Sequence, residues 1–153
     1  MVNETKAMRP SVGTGIFILN DKNQVLLEKR SGSHGAGTWC LPGGHLEWQE
    51  SFLQNAMRET KEEVDLDIEE VRVLGVTNDV FKKEQKHYVT IFMKATKWSG
   101  KPRMMEPDRC TEIRWFHLND LPEPLFVSDC NFFKLNTLCV CESGKKYREC
   151  HGK

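Results

Sequence analysis

The stretch from Pro42-Gly43-Gly44 to Asp65 constrains this chain more than any other, because it joins a close backbone approach to a capped helix loaded with acid. Ser51 followed three residues later by Gln54 fits a capping box, in which each side chain satisfies a main-chain N–H left free at a helix start. Phe52, Ala56, Thr60 and Val64 recur every four residues and predict a face to bury. Glu59, Glu62 and Glu63 stand at i, i+3 and i+4, so their carboxylates leave one face side by side. Like charges at that spacing repel by about 0.2–0.5 kcal/mol per pair. Arg58 reaches Glu62 one turn on and relieves part of this. Two readings follow: a solvated acidic face, or a site for a hard cation. Carboxylate oxygens suit Mg²⁺ and Mn²⁺, and Gly43-Gly44 has no Cβ to keep a ligand at a distance. Periodicity alone leaves both open.

The rest of the chain frames that segment. Its 153 residues suffice for one ordinary domain with a sizeable core. Lys plus Arg and Asp plus Glu both total 22, a balance that removes the electrostatic reason for nucleic-acid binding. No apolar run is long enough for a bilayer, and MVNETKAMRP has no signal-like hydrophobic stretch, so a cytoplasmic protein is expected. Strands are expected over 12–19, 24–29, 39–41, 71–80, 87–97 and 112–116. The glutamate helix and a final helix over roughly 126–138 lie between and after them. Strands interspersed with two helices predict a layered α/β domain rather than a barrel.

From Gly44 to Leu66 the residues Gly44, Glu50, Arg58, Glu59, Glu62 and Glu63, with Leu66 as the closing aliphatic, resemble the Nudix box, G-x5-E-x7-R-E-U-x-E-E-x-G-U. Thr60 departs from its aliphatic position, and Asp65 stands where glycine usually ends the helix. The departure at Asp65 predicts a local stability cost with no loss of chemistry. The resemblance implies an α/β/α sandwich around a central mixed β-sheet. It also implies a metal-dependent hydrolase that cleaves the diphosphate linkage of a nucleoside diphosphate joined to a group X. In that role Glu59, Glu62, Glu63 and the Gly43 carbonyl would hold Mg²⁺ or Mn²⁺. Arg58 would orient the carboxylates, and Glu59 or Glu63 would take the proton.

Further segments, TWCLPGGHLE, VTNDVF, HYVTIFMKA, MEPDRC and LPEPLF, extend the resemblance over about residues 10–128. They are similar to the MutT-like subgroup that includes the plant cytosolic Nudix hydrolases and the mammalian thiopurine-nucleotide hydrolase. That subgroup implies hydrolysis of nucleoside triphosphates, oxidised ones included, to monophosphate and pyrophosphate. Some plant members act on a prenyl diphosphate instead. Leu41, Thr90 and Phe126, with Arg30, are the positions implied for substrate, and Glu106 is a further candidate metal carboxylate. The competing function is a non-catalytic nucleotide sensor, against which the complete set of box glutamates argues. Such domains often dimerise, so a homodimer fits the resemblance.

The cysteines divide into two groups. Cys40, Cys110 and Cys130 are scattered, as inert core thiols are. Cys139, Cys141 and Cys150 crowd the end beside His151. Two thiol-containing pairs around ESGKKYRE provide four soft ligands, the number a tetrahedral structural Zn²⁺ takes. The segment is similar to the SEC-C motif, with Glu142 where glycine is usual. It implies a small zinc knuckle, residues 139–153 following a hydrolase domain of residues 1–138. Lys145, Lys146 and Arg148 would form its basic face toward a protein partner or the ribosome.

Overall fold

A computed structural model describes residues 8–32, 34–135 and 139–151. In chain order the elements are β1 (Ser11–Phe17), β2 (Gln24–Arg30), β3 (Trp39–Cys40), α1 (Phe52–Val64), β4 (Asp67–Phe81), β5 (Lys86–Ser99), β6 (Cys110–His117), α2 (Val127–Lys134) and α3 (Tyr147–Cys150). The central layer is split into two three-stranded sheets. One, ordered β1-β5-β4, is mixed, with β1 parallel and β4 antiparallel to β5. The other, β3-β2-β6, is antiparallel. They meet at the β1–β2 turn, where Leu26 donates to the Ile18 carbonyl at 3.1 Å.

Strands buried on both faces need apolar residues in succession rather than in alternation. Ile16-Phe17-Ile18, Val25-Leu26-Leu27 and Phe92-Met93 are such runs, and neighbours in each go to opposite sides. Phe17, Val25, Leu27 and Phe92 pack with Leu41, Phe132, Cys139 and Val140. Ile16, Ile18, Leu26 and Met93 pack with Ala56, Val64, Leu66 and Ile68. One core therefore lies under α1 and the other under α2 and the tail. This is the expected α/β/α sandwich, its central layer made of two sheets. Among the described residues no helix is long and apolar enough to cross a membrane.

The glutamate helix starts as its capping box requires, with Gln54 N–H donating to Ser51 Oγ at 3.2 Å and Ser51 N–H to Gln54 Oε1 at 2.8 Å. Its buried face differs from the expected one. Ala56, Thr60 and Val64 are buried with Asn55 and Glu59, whereas Phe52 is 40% exposed. Side chains on a helix lean toward its N-terminus, so Phe52, the first helical residue, points off the end of the sheet's cover. Thr60 is accommodated by donating its hydroxyl to the Ala56 carbonyl at 2.6 Å. The final helix ends at Lys134, before the expected limit at 138; residues 136–138, where the expected domain boundary falls, lie outside those described.

Candidate active site

Backbone pairing brings the Gly-Gly segment to the sheet. Thr14 N–H donates to the Gly44 carbonyl and Ile16 N–H to the Pro42 carbonyl, both at 2.8 Å, so 42–44 runs along the free edge of β1. Gly43 sits at φ 148°, and a Cβ there would lie 2.3 Å from the Thr14 carbonyl oxygen. A Cβ on Gly44 would lie 2.4 Å from a Glu59 carboxylate oxygen. At Gly43 only glycine lets the main chain lie this close to β1, and at Gly44 a Cβ would push the Glu59 carboxylate aside. Asn55, fully buried, ties the same loop to α1, accepting from Thr14 Oγ1 at 2.7 Å and donating to the His45 carbonyl at 2.9 Å.

Arg58 is the hub of the acidic face. Its Nε and Nη2 donate to the two oxygens of Glu50 at 2.8 and 3.0 Å, Nη1 to Glu59 at 2.7 Å and, more distantly, to Glu62 at 3.5 Å. The bond from Arg58 holds the Glu50 carboxyl down at about 2. The other acids are pushed the opposite way. Burial raises Glu59, offset in part by Arg58. Burial and then the charge of Glu28 raise Glu63, offset in part by the Gly43 N–H, which donates to it at 2.8 Å. Glu62 is the exposed member, with 54% of its side chain open. Glu106 lies near enough to raise Glu63 further and meets Arg109 at 3.6 Å.

Gly43, Gly44, Arg58, Glu59, Glu62 and Glu63 line one cavity of about 720 Å³, whereas Glu50 and Glu106 are not among its lining residues. Its aromatic part is Phe81, Tyr88, Phe126 and the His34 ring: Phe81 stacks on Phe126 with centroids 5.5 Å apart, and His34 meets both edge-on. Arg30 lies over the Phe126 ring at 4.6 Å and donates to the His34 carbonyl at 3.1 Å. Thr90 also lines the cavity, its hydroxyl donating at 2.6 Å to Asp79, a buried acid that Thr77 and Asn131 also serve. Of the positions expected for substrate, Arg30, Thr90 and Phe126 are therefore brought together. Leu41 is not: it is 4% exposed in the core beneath α2, its N–H donating to Asp129 at 3.2 Å.

Glu28 and Asn55 are among the site residues that escaped the sequence reading, as did His34, Phe81 and Tyr88 of the aromatic wall. Glu28 is 7% exposed on β2 and lines the cavity beside the box glutamates; burial pushes it up to about 8. The available signal was a carboxylate ending the apolar run Val25-Leu26-Leu27 in mid-strand. Asn55 could have been found as a polar residue next to Ala56 on the apolar side of the helix.

The tail forms a second centre. The ligand atoms of Cys139, Cys141, Cys150 and His151 all lie within 4.8 Å of one another. Cys139 and Val140 are buried in the core under α2, Tyr147 donates to the Leu118 carbonyl at 2.7 Å, and its ring packs on Phe133 at 4.7 Å. Glu142 takes φ 66°, the conformation glycine would supply, and pairs with Arg72 at 3.0 Å and Lys94 at 3.1 Å. Lys145 and Lys146 are exposed, and the side chain of Arg148 lies outside those described.

A model of the NUDIX domain matches residues 9–134, and one of the SEC-C motif matches residues 136–153. The chain is 30% identical over 119 residues to an ADP-ribose pyrophosphatase of Methanocaldococcus jannaschii, a match covering 78% of this chain and 69% of that one. A MutT Nudix hydrolase structure from Burkholderia pseudomallei superimposes with a TM-score of 0.78 at 35% identity, covering 86% of this chain and 100% of that one. The MutT protein of Methanosarcina mazei Go1 does so with a TM-score of 0.71 at 25% identity, covering 84% and 94%. Box, sandwich and relatives agree: the chain is a hydrolase of the Nudix family, carrying a SEC-C motif after the hydrolase fold.

Proposed function

We propose that this hydrolase is a Mg²⁺- or Mn²⁺-dependent pyrophosphohydrolase acting on nucleoside triphosphates, canonical or oxidised, to give the monophosphate and pyrophosphate. The observation that carries the reading is one cavity lined both by carboxylates and by stacked aromatic rings. Acids and a Gly-Gly backbone suit a polyphosphate with its cations, while flat apolar walls suit a nucleobase. His34, which lines that cavity, has an Nδ1 buried without a hydrogen-bond partner among the described residues, a polar atom a ligand could meet.

The donor set fits a hard divalent cation. It is all oxygen, Glu59 faces a glycine that has no Cβ to block it, and burial disfavours the charge on Glu59 and Glu63 until a cation joins them. Glu59, Glu62, Glu63, the Gly43 carbonyl and Glu106 would hold such ions. Bound there, divalent ions neutralise phosphate charge and acidify a water. Arg58 keeps the Glu59 carboxylate turned toward the Gly44 backbone. Arg30 and Thr90 bind polar parts of the substrate, and Phe126 with Phe81 stacks on its base. Water oxygen bonds to phosphorus as the bond to the bridging oxygen breaks, and Glu59 or Glu63 takes the water's proton. Cys139, Cys141, Cys150 and His151 hold a structural Zn²⁺, and Lys145 and Lys146 face a protein partner.

Pyrophosphate release is to be measured across canonical and oxidised nucleoside triphosphates, ADP-ribose, nucleotide sugars and prenyl diphosphates, with and without Mg²⁺. The expected result is Mg²⁺-dependent turnover greatest on a triphosphate. Preference for ADP-ribose or a prenyl diphosphate overturns the substrate class, and tight nucleotide binding without turnover overturns the enzyme in favour of a sensor.

A further inference from the structure

Strand geometry sends alternate side chains to the same face, so Glu28 follows Leu26 toward α1 and its glutamates. It is held there by pairing on both sides, with Cys40 of β3 and Ile113 of β6. The residue is 7% exposed, and its Oε2 is buried with no hydrogen-bond partner among the described residues. Arg30, whose side chain donates to the His34 carbonyl and lies over Phe126, offsets part of the Glu28 charge without a hydrogen bond to Oε2. Glu106, Glu59 and Asp129 add negative charge on the other side of the balance. A buried, unpartnered carboxylate oxygen is costly, and a neutral side chain would fill the strand at lower cost. The residue lines the cavity it shares with Glu59, Glu62 and Glu63.

We propose that Glu28 is an additional carboxylate ligand of the divalent-metal site, supplied by the sheet where α1 supplies Glu59, Glu62 and Glu63. This rests on the metal-dependent reading of the glutamate helix. Glu28 would then meet the ion from the sheet, with Glu59, Glu62 and Glu63 from the helix and Glu106 from its loop, leaving phosphate and water to complete its ligands. The rival is structural: Glu28 stays protonated as a strand filler and never meets the ion.

The test is Mn²⁺ binding to the full chain, followed by electron paramagnetic resonance of free Mn²⁺ and by the rise in melting midpoint that Mn²⁺ produces. Glu28→Gln is expected to weaken Mn²⁺ binding about tenfold or more, the scale on which altered metal-site partners act. It should shrink the Mn²⁺-induced rise while leaving the metal-free midpoint equal to or above wild type, because a buried carboxyl has been replaced by a neutral amide. Wild-type affinity in Glu28→Gln, with wild-type protein binding Mn²⁺ and Glu63→Gln losing it, overturns the role of Glu28 alone. Failure of wild-type protein to bind Mn²⁺ overturns the helix reading and this one together. If Glu28→Gln lowers the metal-free midpoint, Glu28→Asp replaces it under the same criterion, since it keeps the charge and withdraws it by one methylene.

Discussion

The glutamate face of α1 and the cysteine tail are built on opposite principles. In the tail, four soft ligand atoms have converged to within 4.8 Å of one another. The box acids are instead anchored on donors, Glu50 and Glu59 on Arg58 and Glu63 on the Gly43 N–H. The reason is charge. Thiols and an imidazole can stand together, whereas carboxylates repel and are held by donors such as Arg58 and the Gly43 N–H. A structural metal site is closed by its protein ligands, and a catalytic one leaves positions for water and substrate. The tail is also no appendage: Cys139 and Val140 belong to the core under α2, next to Phe132.

The two regions share one device. Asp65 and Glu142 each stand where glycine is usual, each takes a positive φ, at 56° and 66°, and each is met by two cations. Lys61 and Arg103 hold Asp65, and Arg72 and Lys94 hold Glu142. The negative charge that suits a helix C-terminus poorly is thereby turned into a tether, from α1 to the strand connection at Arg103 and from the tail to β4 and β5.

If the contrast is right, damage to the acids and damage to the tail have different readouts. Glu63→Gln should lower Mg²⁺-dependent turnover by more than about a hundredfold, beyond the effect of altering a mere metal-site partner. Its melting midpoint and its zinc content should stay near wild type. Near-normal turnover would remove Glu63 from the chemistry. Cys139→Ser combined with Cys141→Ser should abolish about one bound zinc per chain by elemental analysis and lower the melting midpoint by about 5 °C or more. Unchanged zinc excludes the site, and an unchanged midpoint would mean the tail is detachable after all.

Asp129, between the two regions, sharpens the comparison through pH. Burial pushes its carboxyl up from 3.8 to about 7, so the folded protein keeps a proton that the unfolded chain releases. That contribution is complete below about pH 4 and is lost as pH rises through about 7, by at most about 4 kcal/mol. Asp129→Asn should flatten this slope in urea titrations at pH 5 and pH 8; an unchanged slope would locate the pH dependence elsewhere. The smallest effect is expected at Glu142. Glu142→Ala should cost about 3 °C or less in midpoint through loss of the tether, since alanine keeps the roughly 1 kcal/mol of left-handed backbone strain that glutamate already bears. Glu142→Gly, free of that strain, should lie closer to wild type, and the reverse order would show that the backbone there does not matter.

Much of this was readable from local rules. The capping box at Ser51 and Gln54, the face carrying Glu59, Glu62 and Glu63, and the turn at Asp65 depend on residues within a turn or two of each other. The strands near 71–80 and 87–97 were found short, because β4 and β5 extend through the polar residues at their ends only by pairing along Asp67–Phe81 and Lys86–Ser99. Phe52 was misplaced because spacing gives a helix's face but not where the sheet beneath it stops.

By itself, then, the sequence determined the acid-bearing helix, the Gly-Gly approach and the grouping of four soft ligands, since each is a matter of spacing along one segment. Only the tertiary structure decided that Glu28 from β2 joins the acids, that Leu41 belongs to the core and not the cavity, and that the tail is part of the hydrophobic interior. Burial and charge depend on which segments pack together, and pairings such as β2 with β6 join residues far apart in the chain.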